Sequence, residues 1–348
     1  MRLQALLGID LPIIQAPMAG VQDSALAIAV SNAGGLGSLP CAMLDAAGVH
    51  RELTAIRANT TRPFNVNFFC HSTPDPDAAR ELAWRAVLAP YYDEYQIDPS
   101  SIVAGAGRMP VSSAAVDTIE AFAPPIVSFH FGLPSEDLLA RMRAWGAKIL
   151  SSATTVAEAR WLEARGVDAI IAQGLEAGGH RGHFLSTDLS EQCGIFALLP
   201  QIVEAVHVPV IAAGGIASAA GVAAAMQLGA SGVQIGTAYL LCPEATTSPV
   251  HRIALGSAAA RHTALTNLFT GRPARGIVNR VMRELGALRA DAPPFPLAGS
   301  AIAPLRANAE RAGYAHFSPL WAGQNASGCR ALPAAALTLE FAHLLTRL

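Results

Sequence analysis

The chain has 348 residues, 52% of them hydrophobic and 14% charged, with 30 Gly, 23 Pro and a formal net charge of −2. So apolar a composition excludes intrinsic disorder and supplies a large core. Acids and bases that nearly cancel and lie scattered argue against nucleic acid or an anionic membrane as the main partner. In chain order, eight short apolar runs read as strands: 12–18, 36–40, 64–69, 126–131, 148–153, 169–173, 208–213 and 232–237. Several are continuous rather than alternating, as in strands covered on both faces. Amphipathic stretches between them read as helices. Residues 23–32 open on Asp23 and stop at Gly34-Gly35, 155–165 pair Thr155 with Glu158 as a capping box, and 218–228 open on Ser218 and stop at Gly229. Alternation of this kind predicts a closed α/β (β/α)8 TIM barrel. A doubly wound sheet is the alternative, but the first strand runs into Met18-Ala19-Gly20 and lacks its G-x-G-x-x-G turn.

Two segments exceed a minimal barrel. Residues 70–125 carry a helix over 77–95, a Gly-rich loop over 103–109 and a second helix over 111–122. Residues 242–317 read as helices broken by Pro-rich loops, and the chain closes with a helix over 333–348. The expected organisation is a barrel of residues 1–240 plus 317–348 and an added helical substrate or lid domain over 241–316. Five scattered cysteines (Cys41, Cys70, Cys193, Cys242, Cys329) suggest reduced thiols rather than a disulfide framework. With no export-type apolar segment at the start and no run that reads as a membrane span, the expected location is the cytoplasm.

Barrel enzymes place their chemistry at the C-terminal ends of the strands. Those positions here are Met18, Pro40, Asn67, His130, Ser152, Gln173, Gly214 and Gly236, and none is acidic. That argues against a glycosidase, which needs two facing carboxylates, and against a metal hydrolase. The only lysine, Lys148, starts its strand and so lies at the wrong end for Schiff-base chemistry. Amides, glycines and two histidines instead suit a polar aromatic cofactor that brings its own reactivity. Glycines after the seventh and eighth strands, Gly214-Gly215 and Gly236, with a helix opened by Ser218, form a candidate phosphate site. The Gly-rich loop after Gln173 brings Gly178, Gly179 and His180 to the barrel mouth. In the same loop His180 and His183 lack a third partner for a metal, and Glu176 is read as a salt-bridge partner of Arg181 rather than a base. His130 is read either as a core residue or as a second pocket imidazole, and Asn67 as a ring contact or a strand cap.

Taken together, Gln15–Gly20, Asn65–Phe69, Ser128–Gly132, Gln173–Gly182, Ala213–Ile216, Gln234–Thr237, Gly271–Gly276 and Ser318–Gln324 resemble the nitronate monooxygenases, formerly 2-nitropropane dioxygenases. The His180-Arg181-Gly182 form of the loop and the last two stretches are similar to the bacterial class I branch. The resemblance implies an FMN-dependent enzyme that oxidises alkyl nitronates with O2 to carbonyl compounds and nitrite. It implies FMN contacts from Met18, Asn67, Gln173, Gly178, Gly179, Gly214, Gly215, Gln234, Ile235, Gly236, Thr237 and Gln324. His180 would be the catalytic or substrate-orienting residue and His130 a second pocket imidazole, with no metal. Expected partners are a small nitronate and O2, with homo-oligomer formation left open. Rival readings are an NAD(P)H-dependent FMN quinone or enoyl-thioester reductase, a cofactor-free phosphate-binding barrel, and a catalytically silent flavin binder. Some relatives carry tyrosines and a lysine in the late helical segment that shape the substrate pocket; this chain has no lysine there.

Overall fold

The computed structural model describes residues 3–102 and 107–345. Its strands, in chain order, are β1 (Ile13–Gln15), β2 (Gly37–Pro40), β3 (Phe64–Phe69), β4 (Ile126–His130), β5 (Lys148–Ala153), β6 (Ala169–Gln173), β7 (Gly179–His180), β8 (Val210–Ala213), β9 (Gly232–Ile235), β10 (Thr263–Thr266) and β11 (Ala274–Ile277). Eight of them form one parallel sheet in the order β1-β9-β8-β6-β5-β4-β3-β2. A parallel bridge between Ile14 and Leu36 joins its two edges. There Gln15 N donates to Leu36 O and Leu36 N to Ile13 O, both at 2.9 Å, so the sheet closes into a barrel.

Alternation along the strands builds two cores from one set of apolar runs. Ile14, Leu36, Ile126, Leu150, Ile171 and Ile211 cluster with Leu3 and Leu7 of the first helix, which plugs one end of the ring. Ile13, Leu39, Val66, Val127, Ile149, Ile170 and Val233 join the larger cluster formed with the outer helices. At the opposite end the interior turns polar, with Asn65, Asn67, Ser128, Ser152 and Gln173 all buried.

Several predicted boundaries shorten for identifiable reasons. The first strand stops at Gln15 instead of running to residue 18, because the chain turns away at Pro17, which has no N–H for the ladder. The last barrel strand stops at Ile235, because Gly236 caps a 3-10 turn over Thr237–Leu241. The helix predicted over 77–95 spans Ala78–Glu94 with Asp77 as its cap, and that over 218–228 spans Ala219–Gln227 with Ser218 as its cap. The Thr155–Glu158 capping box forms by half. Thr155 accepts from Glu158 N at 3.2 Å, whereas the Glu158 carboxylate takes Thr154 N and Oγ1 at 2.7 and 2.8 Å. The final helix covers Ala334–Ala342 rather than 333–348, and 346–348 lie outside the described residues, as do 103–106 of the predicted Gly-rich loop.

The added segment is not purely helical. Besides the helices Pro249–Leu255, Arg280–Leu285 and Gly299–Arg311 it contains the antiparallel pair β10 and β11. β11 pairs with β7, setting Ala274 opposite His180 and Arg275 opposite Gly179. Its apolar core is shared with the insertion after β3, because Trp84, Leu88 and Tyr92 pack with Ile302, Leu305 and Phe317. Tyr92 Oη donates to Ala301 O at 2.7 Å and Trp84 Nε1 to Ala298 O at 3.3 Å, so both ring polar groups are satisfied within that core. A boundary at 241 therefore omits a helix that this second layer is built on. No helix among the described residues is long and apolar enough to cross a membrane.

Strand β2 lies directly on the helix Ser24–Asn32, close enough that a Cβ on Gly37 would sit 1.9 Å from Ala27 O. Gly37→Ala is expected to lower stability by about 3 kcal/mol through backbone displacement. The denaturant midpoint measures this, and an unchanged midpoint would refute the contact.

Candidate active site

A cavity of about 1260 Å3, including its open mouth, sits at the C-terminal rim of the barrel. Met18, Asn67, His130, Ser152, Gln173, Gly214 and Gly236 line it, whereas Pro40, the remaining predicted strand-end position, does not. Gly178, Gly179, His180, Gly215, Gln234, Ile235 and Thr237 complete the wall expected from sequence. Gln324 is a correction. It is exposed, with its amide held by Glu176 O at 2.9 Å, and its neighbours Gly323 and Asn325 face the cavity instead. None of the lining residues is acidic.

One rim of the cavity is built for an anion. Gly214 and Gly215 adopt φ of 119° and 70°, conformations that favour glycine, and so turn the chain back at the end of β8. The amides of Gly214, Gly215, Ile216, Gly236 and Thr237 donate to no acceptor among the described residues. The N-terminus of the helix Ala219–Gln227 follows at once, adding its dipole. Nearby, Gln234 Oε1 is buried without a hydrogen-bond partner, an acceptor left for a ligand's N–H. Unused amide donors beside an orphaned amide acceptor fit a phosphorylated heterocycle.

The opposite wall carries the histidines. Gln173 holds the loop at its own strand end, with Nε2 donating to His180 O at 3.0 Å and Oε1 accepting from Gly182 N at 2.8 Å. His130 Nε2 donates to the same carbonyl at 3.1 Å, so its Nδ1 accepts from Ser152 Oγ at 2.6 Å. His130 is thus both a pocket-lining ring and a support for the loop. His180 Nε2 lies 2.9 Å from Thr270 Oγ1, and its Nδ1 has no partner among the described residues. The rings of Phe69, Phe131, Phe295 and Trp321 surround the imidazole at centroid distances of 5.2 to 6.1 Å. Burial, then the charges of Arg108, His130 and Arg272, hold His180 well below the usual histidine range. Burial likewise pulls His130 down to about 4. Both rings are therefore neutral at neutral pH.

Other sequence expectations resolve differently. Glu176 does not bridge to Arg181. Its carboxylate accepts from Ile195 N at 2.8 and 3.0 Å, at the start of the helix Ile195–Ala205, where the helix dipole favours it. Arg181, fully buried, donates to Gln192 Oε1, Gly174 O and Gln173 O. Asn67 turns its Nδ2 to Ser128 Oγ at 2.9 Å and still faces the cavity. No group of three His, Cys, Asp or Glu suited to a metal ion occurs among the described residues.

Sequence reasoning passed over Arg108, the roof of Phe69, Phe131 and Phe295, and Trp321. Phe131 sits at φ 70°, rare for a bulky residue, which swings its ring under the Arg272 guanidinium at 4.1 Å. Its signal was the Phe131-Gly132 pair after the strand; Arg108 was one arginine in a loop.

The family model for nitronate monooxygenase matches residues 1–341. The chain belongs to the nitronate monooxygenase family. It is 44% identical over 338 residues to the nitronate monooxygenase of Paraburkholderia phytofirmans, covering 96% of this chain and 92% of that protein. It is 41% identical to the Pseudomonas aeruginosa nitronate monooxygenase over 97% of this chain and 96% of the other. Among solved structures, the nitroalkane oxidase of Streptomyces ansochromogenes superposes with a TM-score of 0.88 at 41% identity, covering 99% of this chain and 98% of that one. The protein is accordingly an oxidoreductase with the fold of a (β/α)8 barrel.

The buried histidines make stability depend on pH. His71 and His130 are held near about 4 and His183 near about 3, in each case chiefly by burial. The unfolded chain protonates these rings below about pH 6.5, whereas the folded chain resists until well below that. Their contribution is therefore complete above about pH 6.5 and is lost as pH falls toward 4. The melting temperature is expected to drop by several degrees between about pH 7 and about pH 4.5. A flat profile over that window would contradict the neutral assignment.

Proposed function

We propose that the protein is an FMN-dependent nitronate monooxygenase acting on alkyl nitronates such as propionate 3-nitronate, with O2 as oxidant and a carbonyl compound and nitrite as products. The observation that carries this reading is a strand-end cavity without an acidic lining residue, with unused amides on one wall and a neutral imidazole on the other. Bound flavin supplies the electron transfer and the reaction with O2, which no side chain here supplies. The amides of Gly214, Gly215, Ile216, Gly236 and Thr237 would hold the FMN phosphate. Met18, Asn67, Gln173, Gly178, Gly179, Gln234 and Ile235 would line its ring and ribityl chain, with Gln234 Oε1 accepting a ring N–H.

His180 is assigned to the substrate. Thr270 Oγ1 has one proton and two acceptors in reach, His180 Nε2 at 2.9 Å and Arg272 O at 3.4 Å. When it turns to the closer imidazole nitrogen, the ring proton sits on Nδ1, whose N–H can donate a hydrogen bond to an anionic nitronate oxygen. A neutral imidazole with so low a proton affinity is a poor general base, which disfavours the un-ionised nitroalkane as substrate. It is also a poor acid, so it does not return a bound nitronate to the nitroalkane. The aromatic wall of Phe69, Phe131, Phe295 and Trp321 excludes water around this contact and strengthens it.

The test is a visible spectrum of the purified protein followed by oxygen uptake and nitrite release with propionate 3-nitronate and propyl nitronate. A yellow protein without nitronate-dependent oxygen uptake would overturn the substrate assignment, and rapid bleaching by NADH or NADPH would favour the reductase reading. His180→Asn is expected to lower kcat/KM about 100-fold with flavin content unchanged.

The phosphate wall is tested at Gly215. Asp and Asn both tolerate its backbone conformation, and a Cβ there meets Glu176 side-chain carbons no closer than 3.4 Å. Gly215→Asp is expected to yield largely flavin-free protein by charge repulsion, whereas Gly215→Asn retains most of the flavin. Equal flavin content in the two variants would place the phosphate elsewhere.

A further inference from the structure

We infer that Arg108 is a specificity-determining residue that binds a second anionic group, a carboxylate, at the end of the substrate remote from the nitronate. This rests on the nitronate reading above and narrows its substrate class to nitronates that carry a carboxylate. Arg108 lines the cavity, and its guanidinium meets no hydrogen-bond acceptor or carboxylate among the described residues. The charged group that acts on it most is another guanidinium, Arg306, which repels it.

Three other arginines of the barrel mouth and hairpin, Arg181 and Arg275 buried and Arg272 half-buried, are satisfied. Arg181 donates to three acceptors, Arg275 Nε donates to Leu175 O at 2.9 Å, and Arg272 donates to His183 O while stacking on Phe131. Arg108 alone of these four is left facing the cavity without an acceptor among the described residues, in a wall with no acid to neutralise it. A half-buried guanidinium left in that state is costly, and an anionic ligand with carboxylate geometry relieves the cost.

Topology separates this cation from the phosphate wall. Arg108 comes from the insertion after β3, and the unused amides lie at the ends of β8 and β9. In the ring β1-β9-β8-β6-β5-β4-β3-β2, strands β3 and β8 stand four steps apart, on opposite sides. Arg108 instead shares a chamber with His180, whose protonation its charge opposes more than any other charged neighbour's does. The Phe69 and Trp321 rings line the same chamber. The arrangement offers one donor for the nitronate, an apolar stretch for a short carbon chain, and a fork for a carboxylate.

The experiment uses flavin-loaded wild type, Arg108→Met and Arg108→Lys. The substrates are propionate 3-nitronate and propyl nitronate, which differ by the carboxylate. Arg108→Met is expected to lower kcat/KM for propionate 3-nitronate by about 30-fold or more, mostly through KM, and to change propyl nitronate by less than about threefold. Arg108→Lys is expected to recover part of the loss. Succinate, which carries the carboxylate but no nitronate, provides a readout apart from nitronate turnover. Titrated against the flavin absorbance, it should bind wild type and weaken by a similar factor in Arg108→Met, with melting temperature and flavin content unchanged. Equal losses on both nitronates, no loss on either, or succinate binding indifferent to Arg108 would each overturn the inference. So would a loss confined to reduction by NADPH. If wild type oxidises neither nitronate, the functional reading fails by itself, and the succinate titration still decides whether Arg108 binds carboxylates.

Discussion

The His180 carbonyl is the contact on which the active-site wall depends. It accepts two side-chain hydrogen bonds from the barrel floor, one from Gln173 and one from His130. Gln173 also accepts from Gly182 N, so one amide side chain clamps both sides of the loop to the strand that precedes it. The clamp tolerates no bulk. A Cβ on Gly182 would lie 2.7 Å from His130 Cε1 and 2.8 Å from Ser152 Oγ. With the loop fixed from below and β7 paired to β11 from the side, the imidazole is presented by rigid backbone on two edges.

That anchoring couples the two layers of the molecule. The hairpin partner of His180 belongs to the added segment, and Thr270, the residue touching its Nε2, lies in the same hairpin turn. The barrel alone would supply the wall of unused glycine amides and the floor. The imidazole's orientation, and so which nitrogen is left without a partner among the described residues, is set by a residue 90 positions downstream. This explains why the segment over 241–316 cannot be an independent lid, since its hairpin pairs with the strand that carries His180 on the cavity wall and its apolar core is shared with the helix Ala78–Glu94.

The electrostatics of the chamber follow from what is missing as well as what is present. With aromatic rings on several sides, no acid in the lining and arginines nearby, every imidazole facing it is held neutral. Positive charge is carried instead by guanidinium groups, which cannot release protons at ordinary pH. Such a site attracts anions without supplying acid, a sound arrangement for a substrate that must stay ionised to react.

Much of this was legible in the chain. The positions of the eight barrel strands, and most of the residues at their C-terminal ends, follow from local features: continuous apolar runs, caps such as Asp77 and Ser218, and glycines after the last two strands. β7, β10 and β11 were not legible, because strands of two to four residues containing Gly, Arg and Thr carry little propensity and form by pairing with one another. Gln324 was placed one residue out of register, since which neighbour faces a cavity depends on where Glu176 O captures the chain. The partners of Glu176 and Arg181 were likewise invisible, because adjacent opposite charges were separated by a helix N-terminus and a set of carbonyls that only the fold brings near. The sequence by itself determined the barrel and the glycine-lined rim at its strand ends, because both are written in local patterns of hydrophobicity and glycine. The tertiary structure alone decided which histidine nitrogen is free and which arginine is left without a partner, because those depend on contacts between segments far apart in the chain.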